Sequence, residues 1–356
     1  FLINLSNSLR GLFNGNKSFS IIHGKKILDE YQNFKPDSLY DSWANKKYES
    51  FIIEKDENGE DVVFTSNPDQ LANYFGKNPD APHYLTPIFF KSEVLSKYYS
   101  NPDKYYVGDG GLGHEGFWSM RIDNNIEEYI SANLGDLGRD LPHKEQLYWK
   151  SFNFLPENKK ISNTKYQREI LGEFEDPTRE DLLFKMKLEN LNERFDKEIG
   201  WKLFKKLAPK DEHHLKTLRI PLTEDQQEFD QQVLSFTKVF VDSINEKEIS
   251  KFDKKESTGI KGISKLENSF KVIGLKGYEK HIKFLRDLQD LRSSGSAHRK
   301  SKNFERISRK LGIVESNLSK VIKDFFIQGI GLVDYLDEHF EKIKTEANRV
   351  DGSIHN

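Results

Sequence analysis

The residues best equipped for chemistry in this chain are Arg292 and His298, in the run "LRSSGSAHRKSKNFER" over 291–306. A histidine near its ordinary pKa takes or gives a proton at neutral pH. An arginine offers several donors to a phosphoryl group that gains negative charge in its transition state. The pair therefore suits phosphoryl transfer within RNA, with the ribose 2′-hydroxyl as nucleophile and neither a metal nor another cofactor called for. On an unbroken helix, residues six apart point ~120° away from each other and lie ~9 Å apart along the axis, so they would not share a face. Ser293, Ser294, Gly295 and Ser296 are poor helix-interior residues. The helix is expected to end or kink there, which lets both side chains turn toward one cleft. From 292 to 310 the chain carries Arg292, Arg299, Lys300, Lys302, Arg306, Arg309 and Lys310 against Glu305 alone, a local +6. Of these, Arg299, Lys300, Lys302 and Arg306 are expected to hold RNA phosphates without reading bases.

Other runs carry weaker chemistry. "GDLGRDLP" (135–142) sets Asp136, Arg139 and Asp140 in a Gly-punctuated segment, read as a loop between a strand and a helix and a possible ligand loop. Its local alternative has Asp140 capping the helix near Pro142 and Arg139 pairing with Asp136. "GDGGLGHEG" (108–116) contains G-x-G-x-x-G, but "FWSMRI" follows it and reads as a strand. The dinucleotide fingerprint needs a helix there, so a hairpin loop is expected. His114 and Glu115 are only two adjacent metal-binding types, too few for a site. His213 and His214 would diverge by ~100° on a helix, which favours solvated or capping roles.

Composition bounds the elements that must position these groups. The 356 residues suffice for two or three domains. An apolar fraction of 36%, a charged fraction of 31% and a net charge of -2 describe a wet-surfaced protein without a global nucleic-acid signal. Without cysteine there is no disulfide framework, thiolate metal site or cysteine nucleophile, which fits the cytoplasm. No apolar run approaches the ~20 residues of a membrane span. The chain opens "FLINLSNSLRG" without methionine, so a longer parent chain is expected.

An α+β fold is predicted. Residues 1–39 are an N-terminal extension, 40–155 an α+β unit around a small antiparallel sheet, 156–221 a helical connector and 222–348 a helical bundle of four or five helices. Within the α+β unit, Asn58-Gly59 signals a hairpin turn. "NPDQLANYFG" suggests a short helix capped by Asn67, and "TPIFFKSEVLSKYY" a helix from Pro87. "KYYV", "FWSMRI" and "EEYISANL" read as strands, and "LPHKEQLYWKSF" opens a helix at Pro142. Residues 179–199 read as a charged helix. Thr223 with Gln226 forms a capping box before the stripe Phe229, Val233, Phe236, Phe240 and Ile244. Ser264 with Glu267 caps a helix stopping at Gly274. Ile282, Leu285, Leu288 and Leu291 make the next stripe. One last long helix carries Leu318, Val321, Ile322, Phe325, Leu336 and Phe340.

An arginine, a short spacer and a histidine late in one helix of a small bundle resemble the signature of the HEPN superfamily, and "LRSSGSAHRK" fits with a five-residue spacer. The resemblance covers 222–348, about a third of the chain. It departs from the family at Ser293, where a larger polar residue often stands, and in its soft Gly-Ser run. The resemblance implies a metal-independent endoribonuclease whose composite site forms when two such domains pair, with Arg292 and His298 as the catalytic pair. Many members are toxins or effectors of bacterial defence against phage, and the α+β unit would then sense or recruit. RNA and a second copy are the implied partners, with no membrane. The competing reading is a non-catalytic assembly subunit whose bundle dimerises or docks on another protein. The apolar surface between Asp225 and Ile249, with Val239 and Val241 beyond the main stripe, is the expected dimer face.

Overall fold

Asn58 and Gly59 turn the chain between two antiparallel strands, β1 (Ser50–Lys55) and β2 (Asp61–Thr65), with Ser50 opposite Thr65 and Lys55 opposite Asp61. Gly59 takes φ +83°, which suits glycine. The Asp56 carboxylate accepts the amides of Asn58 and Glu60, both at 2.9 Å, and ties the turn. The structure is a computed structural model that describes residues 46–158, 160–253, 262–295 and 302–352. The class is α+β: small antiparallel sheets lie between residues 50 and 154, and helices dominate the rest.

Two three-stranded sheets follow. In one, β3 (Pro87–Lys91) lies between two later strands that pair with it antiparallel, Tyr129–Asn133 and Asn153–Phe154. In the other, β4 (Tyr105–Val107), β5 (Gly111–His114) and β6 (Trp118–Arg121) form a meander. The strands at Tyr129–Asn133 and Asn153–Phe154 are β7 and β8. The reading of Pro87 as a helix start is corrected here. Ile88, Phe89 and Phe90 are all buried and form the central strand of their sheet, and only after it does the chain coil, in one 3₁₀ turn and one α turn over Ser92–Tyr99. A short fully buried apolar run carries no period to separate strand from helix. "NPDQLANYFG" likewise yields only a 3₁₀ turn, Pro68–Gln70. Asn67 caps it as expected, but Asn73 takes the amides of Phe75 and Lys77 and turns the chain away.

The strands close on a core of Phe51, Phe90, Leu95, Tyr98, Leu112, Ile130 and Trp149. Two helices complete it: α1 (Leu134–Asp140) and α2 (His143–Lys150).

The second core is helical. α3 (Glu180–Ile199) ends on Gly200 in the left-handed conformation and supplies Phe184, Leu188, Leu191 and Phe195. Leu203, Phe204, Leu218 and Ile220 join the same core, so much of the stretch read as a connector packs with the bundle. A short α4 (Glu212–Thr217) precedes α5 (Gln226–Phe240), which is N-capped by Asp225 rather than Thr223. The Asp225 carboxylate accepts the amides of Gln227 and Glu228. The Glu228 carboxylate reaches back to Thr223, so the capping exchange sits two residues later than the sequence pattern suggested. α6 (Ile263–Ile273) follows Gly262, not a Ser264 cap, and stops at Gly274 as expected. α7 (Glu279–Gly295) carries the expected stripe, all buried. α8 (Lys302–Leu311) buries Phe304 and Ile307. The expected last long helix is two, α9 (Leu318–Glu338) and α10 (Phe340–Gly352), separated at His339. Phe340 is wholly buried beyond the break. At the centre, Phe184 packs on Phe236, Phe240 and Phe326 with ring centroids 5.0–5.5 Å apart. Val239 and Val241 are 4% and 5% exposed, so the apolar surface proposed for dimerisation is interior to this chain. Among the described residues, no helix is long and apolar enough to cross a membrane.

Candidate functional site

α7 runs as a regular helix through Arg292 and ends at Gly295. Ser293 and Ser294 are still helical, and each hydroxyl donates back to a carbonyl of the preceding turn, Gln289 and Asp290 respectively, a bond that competes with the backbone ladder near the helix end. The expected end of the helix thus falls at the glycine. Arg292 lies in the last turn, one residue past Leu291, the buried end of the apolar stripe. Its Nη1 donates to both carboxylate oxygens of Asp242, at 2.8 and 3.0 Å, just beyond the end of α5. The pair is partly exposed, 28% for the arginine and 34% for the aspartate. Lys238 stands 3.8 Å from the same carboxylate and 3.9 Å from Asp211, so alternating charges lead from α7 across α5 to α4. His298, Arg299 and Lys300 lie outside the described residues.

Beneath this row sits a histidine that sequence reasoning set aside. His214 is buried, with its Nδ1 3.0 Å from the Ser235 hydroxyl. Burial, and then the neighbouring charges including Lys238 and Arg292, hold its pKa below the ordinary range, so it is neutral at pH 7. His213 is half-buried, with its Nδ1 2.9 Å from the carbonyl of Lys210, a capping role. Asp242 carried no sequence signal, and His214, expected in a solvated or capping role, is instead buried against Ser235. Both reach Arg292 by helix packing across some 50 and 78 residues of chain, which no local spacing encodes.

Lys302 and Arg306 are on the outer face of α8, exposed. With Arg309 they recur at four- and three-residue spacing, so they line one side of the helix opposite Phe304 and Ile307. Among the described residues none of the three makes an ion pair. Lys310 differs: it pairs with Asp287, and Asp287 is also held by Lys283. The basic face that can meet phosphate is therefore Lys302, Arg306 and Arg309.

The Asp136 segment is a helix, α1, not a loop. Gly135 and Gly138 are weak helix formers, but here they let α1 lie flush on its neighbours. A Cβ on Gly138 would stand 1.8 Å from the Ser66 carbonyl oxygen, and one on Gly135 would stand 2.1 Å from the Tyr84 ring. Asp136 is 3% exposed and accepts from Tyr84 (2.8 Å), Asn133 (2.9 Å) and Arg139 (2.8 Å). Arg139 also grips Asp140 through two nitrogens, at 2.6 and 2.8 Å. Asp140 does not cap the next helix, which starts after Pro142 without a side-chain cap. Asp136, Arg139 and Asp140 thus satisfy one another. The carboxylate of Asp136 has its partners inside the fold, as a structural anchor requires.

In the G-x-G-x-x-G run, Gly111–His114 is β5 and Trp118–Arg121 is β6, so the run belongs to a hairpin. Among the described residues, no group of three or more His, Asp or Glu side chains is placed to hold a metal ion. No protein-family model matches this chain, and neither a curated protein nor a solved structure is significantly similar to it.

Proposed function

We propose that this chain is a metal-independent endoribonuclease of the HEPN kind, with Arg292 and His298 as its catalytic pair. The observation that carries the reading is the presentation of Arg292. It stands at the exposed end of a packed helix, fixed by Asp242, with His298 three residues beyond that helix end in the sequence and the basic face of α8 following. A planar guanidinium fixed by a carboxylate is preorganised to receive phosphoryl oxygens.

In the proposed reaction His298 takes the proton of the ribose 2′-hydroxyl as its oxygen bonds to phosphorus. The bond to the 5′-oxygen breaks and that oxygen gains a proton, leaving a 2′,3′-cyclic phosphate and a 5′-hydroxyl. Arg292 holds the charge that builds on the phosphoryl oxygens. Asp242 acts as a positioning residue. Lys302, Arg306 and Arg309 hold the flanking backbone by charge, as Arg299 and Lys300 do in the sequence reading. A second copy of the bundle would complete the site, and the role would be that of a defence or toxin effector whose α+β region senses or recruits.

The test is incubation of the full chain with total RNA in EDTA. Cleavage is expected from the native chain and is expected to be lost on His298→Ala. One observation favours the assembly reading instead: Asp242 already neutralises Arg292, as in an arginine that only braces the fold. If neither native chain nor any trigger gives cleavage, and Asp242→Asn only loosens the bundle, the assembly reading stands.

A further inference from the structure

A cavity of about 300 Å³ opens where the β4 hairpin meets α3 and α4, and neither Arg292 nor Asp242 lines it. Its inner wall holds Tyr98, Tyr99 and Tyr105 with the side chain of Lys185. Its mouth holds the exposed Lys104 and Lys216 of one charge and Asp103 and Glu115 of the other. The mouth charges cancel, so the amine of Lys185 is the unbalanced charge of the inner wall. Tyr98 and Tyr99 are 0% and 5% exposed and fixed from behind. The Tyr98 hydroxyl donates to Glu145 and accepts from Trp149, both at 2.7 Å, and the Arg219 guanidinium stacks 4.3 Å from the Tyr99 ring centre.

Lys185 differs from its cationic neighbours. Arg179 is bound to Asp181 through two nitrogens and Arg219 to Glu228. Among the described residues, Lys185 makes neither an ion pair nor a hydrogen bond. A half-buried ammonium without a partner is costly, and an incoming oxyanion removes that cost. Flat tyrosine walls around it suit a ring. We infer that this cavity binds a small ligand that carries one oxyanion on a flat apolar body, with Lys185 taking the oxyanion and the tyrosines the ring. The volume fits one ring and one acidic group, at the small end of ligand pockets.

Burial pushes the Lys185 ammonium down to about 8. Asp181 works against that shift, and Arg179 and Arg219 add to it. Tyr98, Tyr99, Tyr105, Tyr106, Lys104, Lys216, Asp103 and Glu115 are the other titratable groups that line the cavity with it. The oxyanion needs the protonated amine, so affinity is expected to hold below about pH 8 and to fall about tenfold per pH unit above it.

The experiment uses the full native chain, an amine-acylating reagent at pH 8, and mass spectrometry that reads each lysine. Benzoate and phenyl phosphate are the probes, and the one that protects identifies the acid. Lys185 is expected to react readily and to be protected about tenfold or more by at least one probe, while the exposed Lys206 is unaffected. By calorimetry, Lys185→Met is expected to weaken that probe ~10- to 100-fold, with circular dichroism reporting the fold. If neither probe protects Lys185 at millimolar concentration, or if a folded Lys185→Met binds as the native chain does, the inference is overturned. If Lys185→Met does not fold, protection in the native chain decides the matter alone.

Discussion

Two arginine–aspartate pairs, Arg179–Asp181 and Arg292–Asp242, use the same chemistry at opposite ends of exposure. Arg179 and Asp181 show 5% and 1% of their side chains to solvent, and Arg292 and Asp242 show 28% and 34%. The first pair is bidentate at 2.7 Å, and each member has a further partner: Arg179 donates to Asn124 of the sheet region, and Asp181 accepts the Ile220 amide of the helical region. It therefore ties the two cores together. The second pair joins α7 to the segment after α5, near the surface. A buried pair is committed to the fold because losing one partner strands a charge. A partly exposed pair loses less when one partner is removed, because water screens the charge left behind. The difference assigns structure to the first arginine and gives the second a smaller share in stability, as the proposed chemistry at Arg292 requires.

The comparison is broken most readily at the buried pair. Arg179→Ala leaves Asp181 buried without its main partner, and unfolding free energy is expected to fall by about 3–5 kcal/mol, read by urea denaturation. A loss below about 1 kcal/mol would mean that burial is not what commits this pair.

A buried group with no partner sharpens the point. His281 is 5% exposed, its Nε2 has no hydrogen bond, and burial, then Lys280, push its pKa down to about 4. The unfolded chain binds that proton below about 6.5, the folded chain only below about 4. This contribution to stability is therefore complete above pH 6.5 and is lost as pH falls toward 4, by up to about 3 kcal/mol. His281→Phe, placed against Tyr335 (ring centroids 4.8 Å from His281), is expected to flatten the pH dependence of the melting temperature in that window. An unchanged slope would assign the acid sensitivity to other groups.

The smallest stability effect belongs to the exposed pair. Arg292→Ala is expected to cost about 1 kcal/mol or less, because partly solvated ion pairs contribute little. A cost like that of Arg179 would make Arg292 a brace and favour the assembly reading.

Legibility in the sequence followed the range of the interaction. The helical stripes over 229–240 and 282–291 were readable because 3.6-residue periodicity is local, and so was the Asn58-Gly59 turn; Ile244, counted in the first stripe, lies past the helix and bridges to Phe204 instead. β3 was not readable, since Ile88-Phe89-Phe90 is apolar on both faces and period-free. α1 was misread as a loop because its glycines signal a turn locally, whereas their reason is the distant Ser66 carbonyl and Tyr84 ring. The break at His339 was missed because the apolar spacing continues across it to Phe340. At the candidate site, Arg292 and the basic run after it stood out by residue type and charge, but the helix α8 that aligns Lys302, Arg306 and Arg309 did not, because that run reads as a soft loop. Asp242, Lys238 and His214 were not legible, because only helix packing brings them to Arg292. Lys185 was hidden for the same reason: a lysine on a charged helix looks solvated until the tyrosines of another region close over it.

The central claim is that Arg292 is held for chemistry rather than for stability. The most direct test measures RNA cleavage and unfolding on the same Arg292→Ala protein, in EDTA, with end-group analysis of the products. The account predicts a rate lower by ~10²- to 10³-fold, a stability within about 1 kcal/mol of the native chain, and 2′,3′-cyclic phosphate ends on what the native chain cuts. Native-rate cleavage by the variant, or cleavage by the native chain that EDTA abolishes, would contradict it.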